Sequence, residues 1–211
     1  MKKQTNFLIK GLPNGVELYD YYLKFNTDFR NWISYEELMI NKELSNEEIV
    51  IKTLELCFED GIDVLDEIDL ETAFNQILWF FTVGTYEEKP EDSEDNVVNK
   101  KSKIIYSYSH DWQYIYSAFM QCYAIDLFKA NLHWWEFKAL FTALSDDTQF
   151  VKILGYRSTT ITSKMSKEEK KHYRNMKKLY ALPDTRSEEE KETSFARSMF
   201  KLSLIHISEP T

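Results

Sequence analysis

Cysteine, glycine and proline are scarce in this chain, with 2, 5 and 4 copies among 211 residues. Cys57 and Cys122 lie far apart, in no C-x-x-C and beside no histidine pair, which excludes a disulfide framework and a zinc-finger arrangement. They are expected to be free, buried thiols in a reducing cytoplasm. So little glycine and proline cannot supply the turns that an all-β sandwich needs about every 8–12 residues. No run of about 18 apolar residues occurs, so no transmembrane helix is expected. The basic start, Met1-Lys2-Lys3, is not followed by the apolar stretch of a secretory signal.

Chemistry-bearing motifs are missing too. The chain has no G-x-x-x-x-G-K-[ST], no G-x-G-x-x-G, no G-x-S-x-G and no H-E-x-x-H. His110, His133 and His172 are isolated from one another. His133 is expected to be partly buried and hydrogen-bonded, and His110-Asp111 to serve a helix start. Catalytic, cofactor and metal sites are therefore all expected to be none, and the protein is expected not to be an enzyme.

What is present is apolar, aromatic and acidic. Hydrophobic residues make up 43%, aromatic residues 15%, and the formal net charge is -9. Such a chain can bury a sizeable core and is expected to be a soluble, mainly α-helical protein. The acidic balance argues against nucleic acid as a partner, because polyanion binding requires clustered cations.

Periodicity gives the elements. Val16–Leu18 and Tyr22–Phe25 alternate around Tyr19-Asp20-Tyr21, as in a small N-terminal β-hairpin. Asn26 or Thr27 is expected to cap a helix with Asp28 in its first turn. Ser45-Asn46-Glu47-Glu48 is a capping box, followed by the stripe Val50, Leu54, Cys57 and Phe58. A third helix is expected from near Asp69, with Phe74, Ile77, Leu78 and Phe81 on one face. Residues 85–103 crowd acids around Pro90 and then lysines, and are expected to form a mobile acidic loop. Beyond it, Ser109 is expected to cap a helix carrying Trp112, Ile115, Phe119 and Cys122 inward. It should end at Ala124–Leu127. Trp134, Phe137, Leu140, Phe141 and Leu144 form the next stripe. Trp112, Phe119, Phe137 and Phe141 are expected to share one core. A shorter helix, capped at Asp146-Asp147-Thr148, is expected to stop at Ile153, with Gly155 as its left-handed terminator. Two more capping boxes, at Ser166 and Ser187, open a basic helix and a C-terminal helix.

These elements amount to one helical domain of about six to eight helices over residues 1–183, with a C-terminal helix at 184–201. The last ten residues, 202–211, match one reading frame of a transposon-end sequence used in library preparation. They are expected to be a non-native tail, with the natural C-terminus lying beyond about residue 201.

Two features invite a partner. Trp134 and Trp135 stand about 100° apart on a helix, so one is expected in the core and the other semi-exposed as a contact. The basic helix, with Lys170, Lys171 and Arg174, is expected to steer an acidic partner or to be an ordinary solvated face. Tyr173 and Tyr180 on it leave base stacking as a further alternative.

Several stretches carry a family resemblance. They are Phe25–Trp32, Ala118–Leu127, Leu132–Phe141, Gly155-Tyr156-Arg157 and Met165–Glu169. The chain resembles the small bacteriophage family named after gene product fifteen of a siphophage of Gram-positive hosts, from about Leu12 to Pro183. Ala124 stands where family members often have glycine. The resemblance implies a tail-module protein encoded beside the tape-measure gene. That position implies a chaperone for the phage tape-measure protein, with tail-tube protein as a second partner, in the host cytoplasm. Retention as a minor structural or connector component of the virion is the alternative. The family implies no catalytic residues. The expected partner-binding residues are Trp134, Trp135, Arg157, Lys170, Lys171 and Arg174, with no membrane involved and the oligomeric state left open.

Overall fold

The structure is a computed structural model and describes residues 6–18, 21–41, 43–66, 68–85 and 105–183. The C-terminal helix, the third capping box, the tail from 202 and all but Thr85 of the acidic segment lie outside these residues. The described chain is mainly α, with a two-stranded antiparallel hairpin near its N-terminus. No described helix is long and apolar enough to cross a membrane. The residues gather into two compact units, one of residues 6–85 with 132–138, the other of residues 105–131 with 139–183. The sequence reading of one domain over 1–183 made no such division.

In the first unit, a single turn α1 (Phe7–Lys10) precedes β1 (Gly15–Leu18) and β2 (Tyr21–Lys24), in register Val16↔Leu23 and Glu17↔Tyr22. Gly15 is required here, since a Cβ would lie 2.3 Å from the Leu23 carbonyl oxygen. The hairpin persists because Leu23 and the following Phe25 are buried, and Phe25 stacks on Phe58. Helix α2 (Phe29–Met39) is capped by Asp28, whose carboxylate accepts the Arg30 N–H at 2.8 Å. Asn26 and Thr27, the expected caps, are engaged elsewhere. The Asn26 side-chain amide donates to the Glu55, Leu56 and Phe58 carbonyls, satisfying the end of α3 (Asn46–Cys57). The Thr27 carbonyl accepts from Trp134 N–H.

The capping box at Ser45 and Glu48 forms as the sequence implies, and Val50, Leu54, Cys57 and Phe58 are all buried. A 3-10 turn (Gly61–Asp66) leads to α4 (Leu70–Phe81), capped by Asp69. Its buried face is Ala73, Phe74, Ile77 and Phe80; Phe81, expected inward, is only half-buried.

In the second unit, α5 (Tyr108–Tyr123) is capped by Ser107, not Ser109, because the Ser107 hydroxyl accepts the His110 N–H. It ends on Ala124 in the left-handed region, φ 53°. Helix α6 (Trp134–Thr142) gives its first five residues to the first unit and the remainder to the second. Helix α7 (Gln149–Ser158) starts at Thr148 as expected but runs on through Gly155, which is helical. The extra turn is held by Tyr156, stacked on Tyr180, and by Arg157, paired with Asp111. Helix α8 (Lys167–Leu179) opens with the expected box of Ser166 and Glu169.

The expectation of one core for Trp112, Phe119, Phe137 and Phe141 fails. Phe137 stacks on Phe29 in the first unit, whereas Phe141 packs on Tyr106, Tyr108 and Phe150 in the second. Phe119 is buried, but Trp112 is 49% exposed. The inward face of α5 is Tyr108, Asp111, Ile115, Ala118 and Phe119, which places Trp112 at its margin.

Candidate partner-binding surfaces

The paired tryptophans are not a surface. Trp134 is 0% and Trp135 4% exposed, so neither is the semi-exposed contact expected from their 100° separation. Both sit in the first turn of α6, where their long indoles reach the carboxyl end of α4. Trp134 Nε1–H donates to the Phe81 carbonyl at 3.0 Å and Trp135 Nε1–H to the Phe80 carbonyl at 2.8 Å. Those carbonyls belong to the last turn of α4, where i+4 donors run out, and the Phe80 carbonyl also takes the Val83 N–H at 3.1 Å. The pair therefore satisfies a helix end while burying two large apolar bodies. Gly84, at φ 73°, lets the backbone pass the Trp135 ring, where a Cβ would meet it at 3.2 Å.

His133 locks the start of α6. Its Nδ1 accepts the Trp135 N–H at 3.0 Å and its Nε2 lies 2.9 Å from the Pro13 carbonyl. Those partners assign the neutral Nε2–H tautomer. Burial pushes its pKa below the ordinary value, against the pull of the Pro13 carbonyl and Glu136.

Arg157 is also structural. It is buried, forms a fork on the buried Asp111 carboxylate, and donates to the Ile105 and Tyr180 carbonyls. Asp111 takes the Ser107 N–H as well, so its expected role at the helix start is only part of its work. Of the basic residues, Lys170 is half-buried and donates to the Ser163 carbonyl at 3.0 Å. Lys171 and Arg174 are exposed. Tyr173 and Tyr180 are half-buried and pack on Tyr156 at centroid distances of 6.4 and 6.0 Å, so their rings are engaged within the unit.

The aromatic surface lies elsewhere, on α5. Trp112, Tyr116 and Met120 follow one another at i, i+4 and i+8, and therefore line one stripe. Phe128 lies against it, with centroids 6.1 Å from Trp112 and 4.8 Å from Tyr116. Phe128 is 67% and Met120 40% exposed, and Tyr116 is half-buried. Asp126 shapes the turn that presents Phe128, accepting the Phe128 N–H and pairing with Lys129 at 3.0 Å each. This is a cluster of the side chains enriched at interface centres, held against one another before any partner arrives. The signal was in the sequence as a second stripe beside Ile115 and Phe119, but Trp112 belongs to the wet one.

Among the described residues, no group of three or more His, Cys, Asp or Glu is placed to hold a metal ion. Neither a curated protein nor a solved structure matches the chain. The model of the Bacteriophage Gp15 protein family matches residues 8–182, which takes in both units and every surface described above, and the chain belongs to that family.

Proposed function

We propose that this phage protein acts in tail assembly as a non-catalytic chaperone for the tape-measure protein, working in the host cytoplasm. The observation that carries this reading is the exposed Trp112–Tyr116–Met120–Phe128 cluster. A preformed aromatic stripe on a helix suits the apolar face of an amphipathic helical partner. The tape-measure protein is such a partner, long and helical, and needs its apolar stripes covered until tail-tube subunits gather on it. The strong net negative charge, -9, keeps a protein with an exposed aromatic patch from self-associating.

Co-expression with the tape-measure protein of the same phage tests the reading. The expected result is a soluble complex whose yield falls when Trp112 and Phe128 are truncated. A tape-measure protein that is equally soluble and uncomplexed with or without this chain overturns it. The family also fits the second reading, a minor structural component, and presence of the protein in purified virions would favour that instead.

A further inference from the structure

We propose that the outer face of α8 is a docking surface for an acidic helical segment of a protein partner. Lys167, Lys171, Arg174 and Lys178 are all exposed and follow one another at steps of 4, 3 and 4 residues. At 100° per residue they fall within about 60° of one line along the helix, spanning about 16 Å. None of the four side chains makes a hydrogen bond or ion pair to another described residue.

The pattern is not that of an ordinary solvated helix face. Such a face interleaves acids four residues before bases, whereas here Lys167–Lys171, Lys170–Arg174 and Arg174–Lys178 are all like-charged i, i+4 pairs, an arrangement that destabilises a helix. Of the two acids, Glu169 is turned back into the capping box, its Oε2 accepting the Ser166 N–H at 2.7 Å. Glu168 lies about 100° round the axis from Lys167, on the flank of the ridge, where it is i, i+3 from Lys171 alone of the four. In a chain of net charge -9, six cations on these 13 residues form a local reversal of sign.

The helix is also preorganised. Lys177 donates to the Arg157 carbonyl, Lys170 to the Ser163 carbonyl, and the Tyr180 carbonyl accepts from Arg157 Nε. A rigid cationic ridge with helical steps is matched best by carboxylates repeating at the same steps on a second helix. Nucleic acid is disfavoured, because Tyr173 and Tyr180 are half-buried and engaged with the Tyr156 ring, not presented as a stacking platform along the ridge. The acidic overall charge would also repel an extended polyanion. This surface is assigned independently of the tape-measure reading, and holds whichever protein supplies the acidic segment.

Fluorescence anisotropy on the full chain tests it with three labelled probes. One is a helical peptide with four glutamates at i, i+4, i+7 and i+11; the second is its scramble; the third is single-stranded DNA of similar charge. The helical peptide should bind best and lose affinity as salt rises. K171E/R174E should weaken it by about tenfold or more, and the neutral pair K171Q/R174Q by less. Circular dichroism of both variants should match the parent, since these side chains are exposed. Equal binding of peptide and scramble, tighter binding of DNA, or no effect of K171E/R174E would each overturn the proposal.

Discussion

Arg157 and Asp111, 46 residues apart in sequence, meet as a buried fork, with Nη1–Oδ2 at 2.6 Å and Nη2–Oδ1 at 2.9 Å. The same guanidinium reaches the Ile105 and Tyr180 carbonyls, so one side chain ties the lead-in of α5, α5 itself, α7 and the end of α8. Removing either partner leaves a buried charge uncompensated. Asp111→Ala or Arg157→Ala should each cost about 3–5 kcal/mol in denaturant titration. Replacing both with apolar residues of similar volume should cost less than either alone. Arg157→Lys should not rescue, because a point charge cannot span two oxygens and two carbonyls.

Opposite substitutions at two backbone positions should both stabilise. Ala124 adopts φ 53° with a Cβ, a strain of about 1–2 kcal/mol that glycine does not bear. Glycine also loses about 0.4–1 kcal/mol through the unfolded chain, so Ala124→Gly should gain about 0.5–1 kcal/mol. Gly155 is interior to α7, and a Cβ there meets nothing within 4 Å. Gly155→Ala should therefore also stabilise by about 1 kcal/mol. Thermal melts of the two single variants and their combination check both.

Sequence signals are legible where the chemistry is local. The boxes at Ser45 and Ser166 formed because donor and acceptor lie three residues apart, and the stripe Val50–Leu54–Cys57 needed only helical periodicity. Positions decided by distant partners were not legible. Asn26 looked like an N-cap but serves the end of α3, and Gly155 looked like a terminator until Tyr156 and Arg157 found partners on other elements. The tryptophan pair departs from its expected split for the same reason. Helical angle alone places one ring outward, but hydrogen bonds to the Phe81 and Phe80 carbonyls at the end of α4 hold both indoles in. The wet aromatic stripe of α5 was hidden for the same reason, since the face that turns inward carries Asp111, an acid buried only because Arg157 reaches it from α7.

Acid should loosen the start of α6. His133 is neutral in the fold, with its pKa lowered chiefly by burial. The unfolded chain therefore binds more protons than the folded one just below the ordinary value of 6.5. The stability due to neutral His133 is fully present above that value and is lost as pH falls through the lower, folded one. Protonation would put an N–H on Nδ1, facing the Trp135 N–H that it now accepts. His133→Asn keeps a capping oxygen without the titration. Its melting temperature should fall less than the parent's between pH 7 and pH 5, taken as about the window around the ordinary value. Parallel pH profiles would place the titration elsewhere.

Trp112 and Trp135 should separate binding from stability. Trp135 is buried and donates to the Phe80 carbonyl, so Trp135→Ala should destabilise by about 3–5 kcal/mol. Trp112 is half in water and touches Phe128, itself exposed, so Trp112→Ala should change stability little, by about 1 kcal/mol or less. In a complex with the tape-measure protein the order should reverse. A Trp in a preformed, exposed aromatic cluster is the type of residue that dominates an interface. Its truncation should weaken binding by about 2 kcal/mol or more. Phe128→Ala should weaken binding as well, because the ring that braces Trp112 and Tyr116 is removed. Calorimetry of the folded single variants, followed by titration with the tape-measure protein, reads both quantities on the same samples. A Trp112 variant that unfolds like the Trp135 variant, or binds like the parent, would remove α5 from the contact.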